Sequence, residues 1–288
     1  MRLLIAAAAV MLALAPARAD VPPGVRFGDA SADTTRINEI LADAVARNIS
    51  SPQERTAYIA RQFIGIPYQG HTLEGPQEFL TVRLDSLDCT TFVETAMALS
   101  ATAGEKRTSW RDYLYNLENL RYRGGKLDGY PSRLHYICDW AVDNAHRGNL
   151  TDVTDRIPHC SYVVRSIDFM SNHRNSYPAL KDSANFARIR GVEMGYRNHR
   201  FPYIKSSDLR MRDVRDALRS GDVVGLVTKL KDLDVTHMGI IIKTDDGVPH
   251  LLHASSSNHK VELSAAPLDE FMKRNPSLLG IRVFRLND

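Results

Sequence analysis

Apolar positions in the first third of the chain recur with the spacing of helices. From Asp33 to Asn48 and from Pro52 to Phe63 they fall every three or four residues, which predicts two amphipathic helices. A third helix is predicted to begin at Cys89, with its buried face formed by Phe92, Val93, Ala96, Met97 and Leu99. Phe79 to Leu84 is predicted to be a short extended piece in the long connection before that helix.

In the C-terminal part, β-branched residues in short segments replace the helical spacing. The predicted strands, separated by turn residues, are Asp222–Thr228, His237–Lys243, His250–Ala254, Lys260–Leu263 and Ile281–Leu286. The middle of the chain contains the predicted helices Ser109–Leu120 and Leu134–His146. We therefore predict an α+β fold in which N-terminal and central helices pack on a C-terminal antiparallel β-sheet or small barrel.

The first nineteen residues differ from the rest of the chain. Arg2 precedes a continuous apolar run from Leu3 to Leu14, and Ala17-Arg18-Ala19 is a small-residue cleavage site. The run is too short to span a bilayer. We predict a signal peptide at 1–19, no membrane span after its cleavage, and a periplasmic or secreted protein. Residues 20–288 are predicted to be one catalytic domain, with a helical elaboration at about 108–219 and a β-rich part at about 220–288.

Composition excludes several other classes of protein. The 288 residues are 43% hydrophobic and 25% charged, as in ordinary globular domains. With 37 basic and 34 acidic residues the formal net charge is only +3, which argues against nucleic-acid binding. The sequence contains no CxxC or HExxH pattern, so no metal site is predicted.

One of the three cysteines has a distinctive setting. Cys89 stands at the start of a predicted helix, where backbone N–H groups carry partial positive charge and favour the thiolate. It is therefore a candidate nucleophile. Cys138 and Cys160 are predicted either to form a disulfide or to remain reduced core residues, and the sequence does not decide between the two.

Two downstream histidines supply the groups that such a nucleophile requires. Strand alternation places His237 and Gly239 on one face of a predicted strand and Met238 on the other. We expect the Cys89 helix to pack closely beside Gly239, which would bring His237 near the sulfur. His253 on the next strand would accept the other imidazole N–H of His237 and fix its tautomer.

Five short segments occur in an order that resembles a known group of bacterial cell-wall enzymes, the NlpC/P60 cysteine hydrolases. They are Gly65-Ile66-Pro67-Tyr68, Asp88-Cys89, Gly221-Asp222, His237-Met238-Gly239 and His253-Ala254. More closely, the stretch from about Ala57 to Arg285 resembles the branch called domain-of-unknown-function 1460 (DUF1460), or N-acetylmuramoyl-L-alanine amidase-like. Further segments that support this resemblance include Thr72-Leu73-Glu74, Leu134-His135-Tyr136 and Leu233-Asp234-Val235-Thr236.

The resemblance implies a papain-like core and a role for each matched residue. Cys89 would be the nucleophile, His237 the general base and then acid, and His253 the residue that orients His237. Tyr68 and Asp88 would bind substrate or stabilise the oxyanion. No cofactor is implied. The sequence departs from the wider superfamily at Thr90-Thr91, where Ser-Gly is common, and in its central helical stretch.

The function predicted from these residues is exported cysteine hydrolysis of an amide bond in peptidoglycan or a muropeptide. The branch name favours the bond between N-acetylmuramic acid and L-alanine. The wider superfamily often cuts the γ-D-glutamyl-diaminopimelate bond of the stem peptide instead. Two further functions on the same scaffold stay open from the sequence, a non-catalytic cell-wall-binding protein and an acyltransferase.

Overall fold

A computed structural model describes residues 21–288, and the predicted signal peptide at 1–19 lies outside the described residues. The helices of the described part alternate with strands along most of the chain. They are α1 (Ala30–Ala46), α2 (Pro52–Arg61), α3 (Cys89–Gly104), α4 (Trp110–Arg121), α5 (Ile137–His146), α6 (Phe169–Asn172), α7 (Ser183–Gly195), α8 (Arg212–Ala217) and α9 (Leu268–Lys273).

The strands form one large antiparallel sheet and one small parallel pair. The parallel pair is β1 (Val25–Phe27) with β2 (Leu80–Val82). The other strands are β3 (Leu150–Asp152), β4 (Ser161–Arg165), β5 (His199–Lys205), β6 (Val223–Thr228), β7 (Val235–Lys243), β8 (Pro249–Ser255), β9 (Lys260–Pro267) and β10 (Leu278–Leu286). Their order in the sheet is β4-β5-β10-β6-β7-β8-β9, and β3 pairs separately with β10.

The predicted mixture of helices and a C-terminal antiparallel sheet is confirmed, and the central region needs a correction. The stretch at about 108–219 is not only helical, because β3, β4 and β5 arise there and join the large sheet. In β4 only alternate residues are partly buried and the others are exposed. Such a short edge strand has too few apolar positions to produce a clear period-two pattern in the sequence.

Helix α3 occupies the centre of the molecule. Nearly all of its residues from Thr91 to Ala103 are buried, and it packs against α1, α2, α4 and β7. A helix that is apolar on every side is stable only when other elements surround it. Its first residue, Cys89, is thereby fixed relative to the sheet.

The two faces of β7 belong to different parts of the hydrophobic core. Met238, Ile240 and Ile242 join the cluster that contains α3, whereas Ile241 joins a second cluster with Leu251. The expectation that α3 packs beside Gly239 is therefore wrong. The missing side chain of Gly239 instead makes room for Leu251, whose Cδ1 would lie 2.6 Å from an added Cβ.

Two glycines with nearly the same positive φ provide a test of the packing between α2 and the sheet. Gly221 has φ +91°, and an added Cβ would lie 1.8 Å from the carbonyl oxygen of Gln53. Gly65 has φ +92° with open space around it. Gly65→Ala should lower the free energy of unfolding by about 1–2 kcal/mol through backbone strain alone. Gly221→Ala should cost roughly 3 kcal/mol or more, because the backbone must also move.

Urea denaturation of the two variants measures this difference. Equal losses of stability in the two variants would contradict the close approach of α2 to the turn before β6.

Candidate active site

The N-terminus of α3 is held by reciprocal hydrogen bonds between Asp88 and Thr91. Asp88 Oδ1 accepts the Thr91 N–H at 2.8 Å, and Thr91 Oγ1 accepts the Asp88 N–H at 2.9 Å. This capping box satisfies two backbone donors that a helix start otherwise leaves free. Thr91, one of the two residues that depart from the usual Ser-Gly, is thus required by the cap, and the cap fixes the position of Cys89.

The sulfur of Cys89 lies against the backbone of β7. The backbone N–H groups of Met238 and Thr90 lie close enough to the sulfur to lower the pKa of the thiol, and the contact of the sulfur with the Thr90 hydroxyl measures 3.9 Å. Successive N–H groups of a strand point to opposite edges. The Ile241 N–H donates to the Asp222 carbonyl, on the β6 side of β7. Met238 is three residues away, so its N–H points to the other edge, which faces β8.

That edge of β7 is open at this point, because β7 and β8 pair only from Ile240 and Leu252 onward. The two strands diverge over the first half of β7, so its backbone donors there have no strand partner on this side. The sulfur of Cys89 lies near this opening, close to one of these donors, the Met238 N–H.

His237 and His253 form a direct pair. His237 Nε2 and His253 Nδ1 are 2.9 Å apart, and the rings meet edge to face with centroids 4.9 Å apart. Where β7 pairs with β6, Leu226 lies opposite His237 and Val227 lies opposite Val235, so Thr236 is an extra residue in β7. Such a bulge changes the direction of the side chains beside it. The predicted contact between the two imidazoles is confirmed.

His253 is anchored more firmly than His237. It is buried, packs edge to face on Phe271 with centroids 5.3 Å apart, and pairs across the strands with Glu262 on β9. The negative charge of Glu262 opposes the lowering of the His253 pKa that burial causes. Sequence analysis did not identify Glu262, because its relation to His253 depends on the register of β8 and β9.

Cys89 and His237 are brought to the same place without a direct hydrogen bond. The sulfur lies close to the backbone N–H of Met238, the residue that directly follows His237. Among residues 21–288, neither the sulfur nor any other group forms a hydrogen bond with His237 Nδ1. The ring nitrogen of His237 that does not face His253 is therefore unoccupied.

Cys89 opens into a cleft of about 260 Å³. Tyr68 and Asp88, the two other predicted site residues, also line it. Burial raises the pKa of the Tyr68 hydroxyl, and the nearby Cys89 and Asp88 add to the increase, so Tyr68 remains a hydrogen-bond donor. Asp88 uses Oδ1 in the helix cap and has no hydrogen to donate from its carboxylate, so a role for it in stabilising an oxyanion has no support here.

The cleft also contains charged residues that the sequence did not single out. Glu74 pairs with Arg133 at 2.6 Å, and Glu94 pairs with Arg121 at 2.6 Å. His135 also lines the cleft, with Nε2 at 3.0 Å from the Tyr130 carbonyl, and burial lowers its pKa so that the ring is neutral. Glu74 and His135 lie in segments that carried the family resemblance, but no spacing in the sequence pointed to their chemistry.

Burial keeps the thiol and the imidazole neutral. It raises the pKa of Cys89 to about 11, and the charge of Asp88 contributes in the same direction. Burial likewise lowers the pKa of His237 to about 3, with a contribution from His253. The expectation that the helix N-terminus favours a thiolate is therefore wrong for the free protein, because loss of solvation outweighs the hydrogen bonds that the sulfur receives.

The remaining sequence-based expectations concern cysteine pairing, metal and membrane. All three cysteines are free, so Cys138 and Cys160 are not joined by a disulfide. Within 21–288, no three His, Cys, Asp or Glu side chains converge in a way that would hold a metal ion. In the same residues, no helix combines the length and the apolar character needed to cross a membrane.

Comparisons with known proteins agree on one family. A family model described as N-acetylmuramoyl-L-alanine amidase-like matches residues 58–281. The chain is similar to the structure of an N-acetylmuramoyl-L-alanine amidase from Bacteroides uniformis ATCC 8492, with 33% identity, a TM-score of 0.76, and coverage of 82% of this chain and 99% of that one. A comparison with curated proteins finds no significant match.

Two other solved structures are similar. A provisionally named xylanase from Bacteroides fragilis is 38% identical with a TM-score of 0.72, and the match covers 79% of this chain and 99% of that one. A DUF1460 protein from Legionella pneumophila str. Philadelphia 1 is 22% identical with a TM-score of 0.68, covers 90% of this chain and 97% of its own, and shows the shared fold.

The electrostatic effect of Asp88 on the thiol can be separated from its role in the helix cap. Asp88→Asn keeps an oxygen for the Thr91 N–H and removes the negative charge. The pKa of Cys89 should then fall below about 11, which increases the thiolate fraction at any pH below that value. Iodoacetamide should label Cys89 faster in the variant at a fixed, mildly alkaline pH.

Peptide mass spectrometry measures this labelling site by site. Cys160 is the internal control, because it is partly buried and responds to Asp155 and Asp152, not to Asp88. An unchanged rate at Cys89 would contradict the electrostatic coupling.

Proposed function

The chain belongs to the N-acetylmuramoyl-L-alanine amidase-like (DUF1460-type) family, and on that premise we propose that it is an exported cysteine hydrolase of peptidoglycan. The bond we propose is the amide between N-acetylmuramic acid and L-alanine. The observation that carries the proposal is the position of the Cys89 sulfur, close to the backbone N–H of Met238, which directly follows the paired His237. A nucleophile at a helix start beside a histidine-bearing antiparallel strand also supports a papain-like core of the NlpC/P60 type.

The pairing of the histidines determines which tautomer of His237 can act as a base. Only one hydrogen lies between His237 Nε2 and His253 Nδ1. If His237 donates it, Nδ1 of His237 has a free lone pair and can accept the thiol proton. His253 then carries its own hydrogen on Nε2, and the negative charge of Glu262 on the neighbouring strand opposes the lowering of the His253 pKa by burial. His253 is thus a positioning residue, and His237 is the base.

Hydrolysis follows in two steps. As the Cys89 sulfur attacks the amide carbonyl carbon, its proton passes to His237 Nδ1, and the C–N bond breaks when His237 returns that proton to the leaving amine. Water then attacks the thioester with His237 again as base, which releases the carboxylic acid and restores the thiol. The Cys89 N–H and the Tyr68 hydroxyl are the donors we assign to the oxyanion.

Neutral resting groups suit this sequence of proton transfers. Because burial disfavours both the thiolate and the imidazolium, the charged pair would form only when substrate provides an electrophile for the sulfur. A protonated thiol also reacts more slowly with other electrophiles in the free protein. The cleft therefore favours attack on a bound amide.

The carboxylates of the cleft do not suit glycoside hydrolysis. That reaction needs one carboxylic acid and one free carboxylate beside the scissile bond. Glu74 and Glu94 are paired with arginines, and Asp88 caps α3. The site thus favours amide hydrolysis by the cysteine.

Replacement of the nucleophile tests both the mechanism and the bond. Cys89→Ala should abolish release of products from purified peptidoglycan, a loss of at least about a thousandfold, because no other group can form the thioester. Mass spectrometry of the wild-type digest should show intact stem peptides that begin with L-alanine. Glycan-linked dipeptides would instead indicate cleavage of the γ-D-glutamyl-diaminopimelate bond.

The matched control is Cys160→Ala, since Cys160 lies outside the cleft. Circular dichroism shows whether each variant keeps its fold. Undiminished hydrolysis by Cys89→Ala would overturn the mechanism, and equal loss in both cysteine variants would point to an effect on folding.

The two histidines should differ in their contribution to the rate. His237→Ala should approach the loss of Cys89→Ala, because it removes the base. His253→Ala should lower kcat by roughly 10- to 100-fold with little change in KM, since it disturbs only the tautomer and orientation of His237. His253→Gln, which keeps a hydrogen-bond acceptor, should recover part of the activity. Indistinguishable losses in His237→Ala and His253→Ala would contradict the subordinate role of His253.

A further inference from the structure

A second polar cavity lies at the opposite end of α3 from Cys89. It has a volume of about 330 Å³ and is lined by residues that include Arg55, Gly104, Tyr115, Asn116, Asn119 and Asn149. We refer to it as the distal cavity. Cys89 begins α3 and Gly104 ends it, so a rise of 1.5 Å per residue separates the two by about 22 Å. The distal cavity is therefore not part of the catalytic cleft.

The amide side chains of the distal cavity retain unused hydrogen-bonding capacity. Asn116 donates both amide hydrogens, to Thr102 Oγ1 at 3.0 Å and Glu105 Oε1 at 3.3 Å, which leaves its Oδ1 as an acceptor. Asn119 donates one hydrogen to Asn149 Oδ1 at 3.0 Å. Its second amide hydrogen remains available to a ligand.

Asn149, like Asn119, donates only one of its two amide hydrogens to another side chain. It donates one amide hydrogen to Asn144 Oδ1 at 2.9 Å and retains the other. The wall of the cavity thus offers donors and an acceptor side by side, which is the requirement for binding hydroxyl and amide groups.

The charges of the distal cavity do not favour an anion. The Arg55 guanidinium, whose side chain is only 4% exposed, pairs with Asp288 at 3.2 Å and donates to the Ser100 carbonyl at 2.8 Å. Glu105 adds a further negative charge to the lining. A phosphate or carboxylate ligand would meet at least as much negative as positive charge.

One residue of the lining is an exposed aromatic. Tyr115 is 69% exposed, although large aromatic side chains are usually covered. An aromatic face next to a mixed set of amide donors and acceptors matches a sugar ring, which has apolar C–H faces and a polar edge.

We propose that the distal cavity is a saccharide-binding site that takes a neutral N-acetylhexosamine unit, with Tyr115 stacking on the sugar ring. As a physiological source we assign the glycan strand of peptidoglycan, and this assignment rests on the proposed function. The site would hold the polymer about 22 Å from Cys89 while the stem peptide enters the catalytic cleft. It would increase the residence of the protein on insoluble wall without contributing to the chemistry.

The test measures binding in the Cys89→Ala background, where no cleavage occurs. The soluble probe is the β-1,4-linked trimer of N-acetylglucosamine, and its binding is measured by calorimetry. Binding to purified insoluble peptidoglycan is measured in a co-sedimentation assay. Tyr115→Ala should weaken binding of the trimer roughly tenfold, because the stacking surface is lost. Tyr115→Phe should bind like the parent, since it keeps the ring.

Tyr162→Ala is the matched control. Tyr162 is also an exposed tyrosine, at 47%, but it lies on the edge strand β4 and does not line the distal cavity. Its removal should leave binding unchanged. Absence of saturable binding of the trimer, or equal binding by Tyr115→Ala and Tyr162→Ala, would overturn the proposal.

Failure of the proposed function would have a different signature. If binding depends on Tyr115 but the wild-type protein releases no peptidoglycan products, saccharide binding in the distal cavity is supported and the hydrolase proposal is contradicted. If the protein hydrolyses a small soluble muropeptide, Tyr115→Ala does not change that rate, and the trimer does not bind, the hydrolase proposal is supported and the saccharide site is contradicted.

Discussion

The contact between the Cys89 sulfur and the Met238 N–H at the open edge of β7 is the constraint on which the site depends. It exists because α3 is packed on all sides and because β7 and β8 diverge before Ile240. If the strands paired along their whole length, the N–H would be used within the sheet. The irregular start of β7, with its bulge at Thr236, is thus required for the site and is not a defect of the sheet.

Burial has two effects in this site. It makes the packing of α3 rigid, and it removes the solvent that would stabilise a thiolate or an imidazolium. The nearby charges are accordingly confined to hydrogen-bonded pairs, such as Glu94 with Arg121, or to the helix cap at Asp88. The chemistry we propose then uses neutral groups whose proton is transferred only when substrate is present.

The sequence was sufficient to predict the elements that carry the site, and not their relative placement. Helical spacing located α3, and β-branched runs located β6 to β10. The strands β3 and β4 were missed because they are short and β4 is half exposed. The longer β5 was missed because its buried residues, Phe201 and Ile204, do not alternate with exposed ones. The face of β7 that meets α3 was assigned wrongly, because Gly239 makes room for Leu251 on the next strand, which local sequence does not reveal. The position of Glu262 opposite His253 likewise depends on the register of β8 and β9, which local sequence does not reveal.

The large separation along the chain between Cys89 and Met238 bears on the order of folding. Their contact closes a loop of about 150 residues, and long loops carry an entropic cost that must be met before the contact can form. The turns of α3 form from local contacts, but the backbone donor beside its first residue belongs to a strand far along the chain. The reactive groove consequently forms only when α3 docks on β7.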